Sequence, residues 1–354
     1  MINIHTGDCI EVMKTMAEQS VQCCVTTPPY FGLRDYGNDG QIGLEETPEA
    51  FVAKLVEVFR EVKRVLADDG TLWLNLGDSY AGSGGKSQPQ PDASGGLSNK
   101  KLGTRGKQGS SASYGGFERP NTLGNGLKPK DLIGIPWRVA FALQQDGWYL
   151  RQDIIWSKPN PMPESVTDRC TKAHEYIFLL SKKPKYFYDA EAIKEQSTDE
   201  SLARLLRGVS DNHKNTNGAP GQTPHSLAKP RKNIRKEYDS SMGGGGSSFK
   251  GHSGYKKADG SLICDGTRNK RSVWEVTTQP YSGAHFATFP PDLIKPCILA
   301  GCPTGGTVLD PFGGSGTTGM VALELGRKAE LIELNPDYVE IIEGRTNVTP
   351  GLAL

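Results

Sequence analysis

The tightest constraint on the fold lies near the C-terminus. The run Asp310-Pro311-Phe312-Gly313-Gly314-Ser315-Gly316-Thr317-Thr318-Gly319 follows the apolar Thr307-Val308-Leu309 and opens a helical pattern from Met320 to Leu325. A strand that feeds a glycine-rich turn and then a helix N-terminus is the form of a nucleotide-cofactor site, because glycine lets the backbone approach a ligand that side chains would exclude. Taken alone, such a turn equally suits an ordinary strand-to-helix connection. The continuation narrows the choice. Lys328 to Ile332 reads as a second strand, and Glu333 at its end is placed to hold both hydroxyls of a ribose. The turn lacks the Gly-Lys-Ser/Thr of a phosphate loop, which favours a nucleoside over a pyrophosphate ligand.

A second motif stands at the other end of the chain, where Thr26-Thr27-Pro28-Pro29-Tyr30 follows the apolar run Val21 to Val25. Two consecutive prolines donate no backbone hydrogen bonds and fix φ, so their carbonyls are held rigidly at a strand end between a hydroxyl and an aromatic ring. The result is an acceptor pocket with a stacking wall.

Together the two motifs resemble those of the DNA amino-methyltransferases, which methylate the exocyclic nitrogen of cytosine or adenine with S-adenosylmethionine. In that family a D/N/S/T-P-P-Y/F/W motif carries catalysis and a D-P-F-x-G-x-G-T motif binds the cofactor. The order here, catalytic motif first, resembles the beta group, a circular permutation of the usual order. The resemblance covers most of the chain outside two polar insertions. It implies an α/β fold, a doubly wound Rossmann-like sheet, circularly permuted and carrying an inserted DNA-recognition region. It also implies that Thr27, Pro28, Pro29 and Tyr30 are catalytic. For the cofactor it implies Asp310, Pro311, Phe312, Gly313, Ser315, Gly316 and Thr317, with Glu333, Leu334 and Asn335 at the next strand end. His285, Phe289 and Pro290, from the segment preceding the glycine turn, join them on the methionine part, although those aromatic residues also suit a core. Asp8, at the end of a strand predicted for Ile2 to His5, is either a contact to the cofactor's adenine or a plain helix cap.

Helical spacing of Phe51, Leu55, Val58, Phe59, Val62, Val65 and Leu66 predicts a helix ended by Asp68-Asp69-Gly70, and Thr71 to Leu76 reads as a buried strand. Asp78, beyond that strand, is either a ligand contact or a turn-stabilising residue. Further predicted elements are a helix from Ile135 to Asp146 and strands from Trp148 to Trp156 and Glu175 to Ser181. The domain plan is a catalytic half over 1–81 and 129–196, a basic insertion over 82–128, a target-recognition region over 197–272 and a cofactor half over 273–354.

Charge is informative in its distribution rather than its total of +1. Between Ala81 and Lys128 seven basic residues face two acidic ones, and Lys229, Arg231, Lys232, Arg235 and Lys236 form a run with no acid. A DNA duplex would supply the counter-charge, and Arg34, Lys158 and Arg169 join that run as candidate DNA contacts. Lys158 belongs to a Trp-Ser-Lys-Pro-Asn-Pro segment similar to one the family places near the flipped base.

The remaining composition removes alternatives. Seven cysteines without a CxxC pair give neither a disulfide framework nor a zinc site, and no metal is expected. Pro296-Cys297 is similar to the nucleophile of carbon-5 cytosine methyltransferases but falls in a helical pattern, Asp292 to Ala300, where a packed thiol is the simpler reading. No apolar run approaches the roughly 18 residues that span a membrane, and a cytoplasmic protein is expected.

The hydroxyl of Thr27, like the Ser that goes with N4-cytosine in the family, favours that base, with N6-adenine as the alternative. A protein-glutamine or RNA methyltransferase, a catalytically silent DNA-binding subunit and a Rossmann-like protein with another nucleotide cofactor are the rivals. No nuclease signature occurs, so restriction would need a separate cognate endonuclease. The expected assembly on double-stranded DNA is a monomer or a homodimer.

Overall fold

The computed structural model describes residues 1–33, 35, 37–38, 40–82, 85–86, 118–119, 126–198, 200, 266–279 and 289–346. In chain order the elements are β1 (Ile2–Thr6), α1 (Cys9–Thr15), β2 (Val21–Thr26), α2 (Pro48–Val65), β3 (Leu66–Leu76), β4 (Gly85–Lys86), β5 (Glu118–Arg119), α3 (Ile135–Gln145), β6 (Tyr149–Ser157), β7 (His174–Ser181), β8 (Glu195–Gln196), β9 (Thr267–Arg268), β10 (Val273–Glu275), α4 (Pro291–Gly301), β11 (Thr307–Asp310), α5 (Thr317–Glu324), β12 (Lys328–Glu333) and α6 (Pro336–Thr346).

Eight strands form one sheet in the order β1-β12-β11-β2-β3-β7-β6-β10. Neighbours run parallel except at β7, which is antiparallel to both β3 and β6. Alternation along the strands fills both faces. Cys24, Leu72, Leu74, Leu309 and Ile332 pack on one side with α1, α2 and α3. On the other side Cys23, Val25, Trp73, Val308 and Leu331 pack with α4 and α5. Strands apolar on both sides are what a sheet covered by helices requires.

Helix α2 shows the local logic. Thr47 accepts the Ala50 N–H at 3.1 Å as N-cap, Pro48 occupies the first turn, and Phe51, Leu55, Val58, Phe59, Val62 and Val65 are buried along one stripe. Each such side chain contributes about 2 kcal/mol on burial. The helix ends at Val65, earlier than the predicted stop at Asp68-Asp69-Gly70. Leu66 to Gly70 instead begins β3, with a register shift against β2 between Val21 and Cys23. Leu66 folds back over Gly70, where a Cβ would lie 2.5 Å from its Cγ, and Lys182 and Lys183 pair with Asp68.

Strand order positions the site. From β11 the chain proceeds to β12 on one side, while from β2 it proceeds to β3 on the other, so the order reverses between β11 and β2. The C-terminal ends of strands at such a switch point line the ligand crevice of an open α/β sheet. Both sequence motifs leave the sheet there.

The chain divides into two units, residues 1–193 with 271–354, which contains this sheet, and residues 194–270. In the second, β8 pairs antiparallel with β9, and Arg268 Nε donates to Glu195 Oε1 at 3.0 Å. No described helix is long and apolar enough to cross a membrane.

Candidate active site

The two motifs meet through one buried carboxylate. Thr26, the last residue of β2, donates its hydroxyl to Asp310 Oδ1 at 2.6 Å, and Thr318 in α5 donates to Oδ2 at 2.6 Å. The Phe312 N–H adds a third bond to Oδ1 at 3.1 Å. Asp310 is only 2% exposed, and burial pushes its pKa up to about 7 although all three donors pull it down. Thr26 itself, adjacent to the predicted catalytic run, had no role in the sequence reading.

The glycine turn is then fixed from behind. Gly313 N donates to Ile332 O at 2.7 Å, and Gly314 N donates to Glu333 Oε2 at 2.7 Å. Asn335 N donates to Glu333 Oε1 at 2.9 Å, and Gly7 N to the Glu333 carbonyl at 2.9 Å. Burial raises the Glu333 pKa, against the amides of Asn335, Gly314 and Leu334. Gly316 has φ 77°, and a Cβ there would come within 2.8 Å of Ile342 in α6. A Cβ on Gly319 would strike Leu331 at 2.8 Å. Gly314, Gly316 and Gly319 have the spacing of the dinucleotide fingerprint, so the pattern alone does not separate a nucleoside from a dinucleotide.

Ser315 and Thr317, both predicted to contact the cofactor, are held by a residue of α6. Arg345 Nη1 donates to Ser315 Oγ at 2.6 Å, to Ser315 O at 2.6 Å and to Thr317 Oγ1 at 3.2 Å. Arg345 escaped the sequence reading because it lies outside both motifs. Pro311 is buried, and Phe312 packs partly buried against the α1–α3 face. Leu334 and Asn335 are half-buried at the end of β12. Asp8 caps α1, with Oδ1 accepting from Ile10 N at 2.9 Å and Glu11 N at 3.0 Å. It sits one residue from Gly7, at the same sheet edge as Glu333.

In the paired-proline loop Pro28 is buried and Thr27, Pro29 and Tyr30 are half-buried. Gly43 packs over this loop: a Cβ there would lie 3.2 Å from Tyr30 O and 3.3 Å from Pro29 Cβ. Phe31 anchors the C-terminal side of the loop, its ring 5.4 Å from that of Phe51. The Tyr30 hydroxyl donates to Glu175 Oε2 at 2.6 Å.

Lys158, taken as a DNA contact, pairs with Glu175 at 2.5 Å with its side chain 18% exposed. Arg169 pairs with Glu164 at 2.5 Å and stacks 4.1 Å from the Tyr80 ring. Asp78 takes the turn-stabilising role, accepting N–H groups from Ser79, Gly134 and Ile135. Phe289 is 7% exposed and packs in the core of the α4 face, and Pro290 precedes α4 as its N-cap. Cys297 is 1% exposed within α4, so it is a packed thiol. Arg34, His285, Lys229, Arg231, Lys232, Arg235 and Lys236 lie outside the described residues.

Comparison with known proteins bears on this crevice directly. Residues 21–344 match a family described as DNA methylase. The chain is 44% identical over 342 residues to the type II methyltransferase M.Cfr9I of Citrobacter freundii, covering 97% of this chain and 86% of that one. It is 43% identical over 342 residues to the type II methyltransferase M.SmaI of Serratia marcescens, covering 97% and 89%. Among solved structures, the PvuII cytosine-N4-specific DNA methyltransferase has the same fold, with a TM-score of 0.56 at 15% identity over 99% of this chain and 88% of that one. A putative DNA modification methylase of Thermus thermophilus, solved in complex with S-adenosyl-L-methionine, gives a TM-score of 0.50 at 20% identity over 99% of this chain and 98% of that one. A match to nearly the whole chain, with the paired-proline loop and the glycine turn joined at the switch point, means that the protein belongs to the N6/N4 DNA methylases, a family of S-adenosylmethionine-dependent amino-methyltransferases.

Proposed function

We propose that this DNA amino-methyltransferase modifies N4 of a cytosine flipped out of duplex DNA. The observation that carries the reading is the 2.6 Å bond from Thr26 to Asp310, which ties the residue before Thr27-Pro28-Pro29-Tyr30 to the residue that opens the glycine turn. The hydroxyl of Thr27 ahead of the prolines favours cytosine over adenine.

The amino nitrogen of cytosine is a poor nucleophile because its lone pair is delocalised into the ring. The Thr27 hydroxyl and the Pro28 carbonyl accept its two hydrogens, which draws the nitrogen toward a tetrahedral geometry and localises the pair. Pro28 is buried, and Pro29 after it restricts the ψ rotation that turns its carbonyl, so this acceptor is oriented before the base arrives. Tyr30 forms the wall on which the base stacks. An extruded base costs a few kcal/mol in lost stacking and pairing, which the wall and backbone contacts offset.

The cofactor fits the donor set at the β11–β12 end. The Glu333 carboxylate receives N–H groups from Gly314, Asn335 and Leu334, and with about four lone-pair sites it keeps capacity for a ribose hydroxyl. Bound S-adenosylmethionine supplies a methyl group on a positively charged sulfur, and the loss of that charge on transfer favours a dry pocket. Pro311 and the partly buried Phe312 exclude water there. The basic insertion over 82–128 and the recognition region over 197–272 supply the backbone contacts and the sequence choice. The enzyme would protect sites cut by a separate endonuclease.

The test is to incubate the protein with duplex DNA and methyl-labelled cofactor, then digest the product to nucleosides. Label in N4-methylcytosine is the expected outcome. Label confined to N6-methyladenine overturns the choice of base, and no label in DNA overturns the reading.

A further inference from the structure

The paired-proline loop ends on a ring whose tip and one side are both held. Tyr30 Oη donates to Glu175 Oε2 at 2.6 Å. Lys158 Nζ donates to the other oxygen, Oε1, at 2.5 Å, and Asn75 Nδ2 reaches Oε2 at 3.3 Å. The Lys158 ammonium also lies 4.3 Å from the centre of the Trp156 ring. Side-chain exposure is 18% for Lys158 and 12% for Glu175. Beside the Tyr30 ring lies Gly77, where a Cβ would fall 2.6, 3.0 and 3.2 Å from three of its carbons, so any larger residue would displace the ring.

These partners come from the end of β3, the end of β6 and the start of β7, which the register brings to one sheet edge. A carboxylate at such low exposure is tolerated because an ammonium and two further donors satisfy it. A hydrogen bond from a phenol to an ionised acceptor is short and strong, so it fixes the ring's orientation. A residue that served only as a stacking surface would need no hydroxyl and no buried acceptor for it. Orientation matters in this reaction because small displacements of the reacting atoms are costly in rate.

We propose that Glu175, charge-balanced by Lys158 and steadied by Asn75, is a positioning residue that sets the Tyr30 ring for the base it receives. The proposal rests on the reading of Tyr30 as the base wall. Lys158 accordingly serves the catalytic loop rather than a DNA phosphate.

The test is a double-mutant cycle on the single-turnover rate of methyl transfer, with enzyme in excess over duplex DNA. Tyr30→Phe and Glu175→Ala should each slow transfer on the order of tenfold. The double variant should be no slower than the slower single variant, because both remove the same contact. Glu175→Gln, which keeps an acceptor for the phenol, should recover most of the rate, and cofactor affinity by calorimetry should stay within about twofold throughout. If Glu175→Ala melts below the assay temperature, Glu175→Met, which keeps the volume, replaces it in the cycle.

Losses that multiply in the double variant overturn the proposal, as does a Glu175→Ala rate equal to the parent's or a rate loss matched by lost cofactor binding. A parent protein that labels no DNA would defeat the methyltransfer reading itself. Multiplying losses in an active enzyme defeat only the role of Glu175.

Discussion

On the cofactor side of the crevice, the joining groups are two carboxylates set into the core, satisfied by hydroxyls and backbone amides. Asp310 at 2% exposure and Glu333 at 9% each tie neighbouring strand ends together. On the proposed base side, the joining groups are mainly side chains, Tyr30, Glu175, Lys158 and the buried Asn75, at the ends of β2, β3, β6 and β7. The first arrangement makes the site part of what holds the sheet together. The second orients a surface that the fold would survive without.

The largest expected effect tests that contrast. Asp310→Ala leaves the hydroxyls of Thr26 and Thr318 and the Phe312 N–H without their acceptor in a buried place. The loss should be about 4 kcal/mol of folding stability, read by urea denaturation, and cofactor binding should vanish with it. Glu175→Ala should cost less than half as much stability while still slowing transfer. Equal losses in the two variants would erase the distinction.

A smaller effect sharpens it within the cofactor side. Gly316→Ala meets two penalties, a φ of 77° and a Cβ within 2.8 Å of the Ile342 side chain. Together they should cost about 2 kcal/mol and weaken cofactor binding. Ile342 is fully buried, so Ile342→Ala is costly by itself, but the pair should lose less than the sum of the singles. Strict additivity would mean that α6 does not set the shape of the turn.

Both sides of the crevice were legible in part, for a physical reason. A glycine turn and a proline pair announce themselves because the local backbone needs those residue types and few others. The buried stripe of α2 was likewise readable, since a period of 3.6 is a local property. What escaped depends on which strands become neighbours. Thr26 reaches Asp310 across 284 residues, a contact that exists only because β2 pairs with β11.

Arg345 reaches Ser315 from a helix 30 residues on, with no motif to mark it. The pairing of Lys158 has the same origin. It exists because β6 and β7 pair and set Glu175 opposite Trp156, and no local pattern marks it. Arg169 has a more local partner, Glu164, only five residues away. The end of α2 was missed because Asp68-Asp69-Gly70 resembles a stop signal, whereas the extended Leu66 to Gly70 segment is shaped by its packing on β2.

The smallest effect is a slope with pH. Burial lifts the Asp310 pKa from 3.8 to about 7. Between those values the native protein holds a proton that the unfolded chain has released, so raising the pH favours unfolding across that window and no further above it. Other groups titrate in the same range, and Asp310→Asn isolates the effect because it cannot ionise. The amide mimics the protonated acid: its oxygen can accept from Thr26 and Phe312, and its NH2 can donate to Thr318 as that hydroxyl turns toward Val25 O, 3.5 Å away. From pH 6 to 7 the parent should lose about 1 kcal/mol relative to Asp310→Asn, with no further divergence above pH 8. A difference that stays flat through this window would mean that the carboxylate is ionised throughout. The three donors would then outweigh burial, and the cofactor side would be held, like the base side, by a charge already satisfied before any ligand arrives.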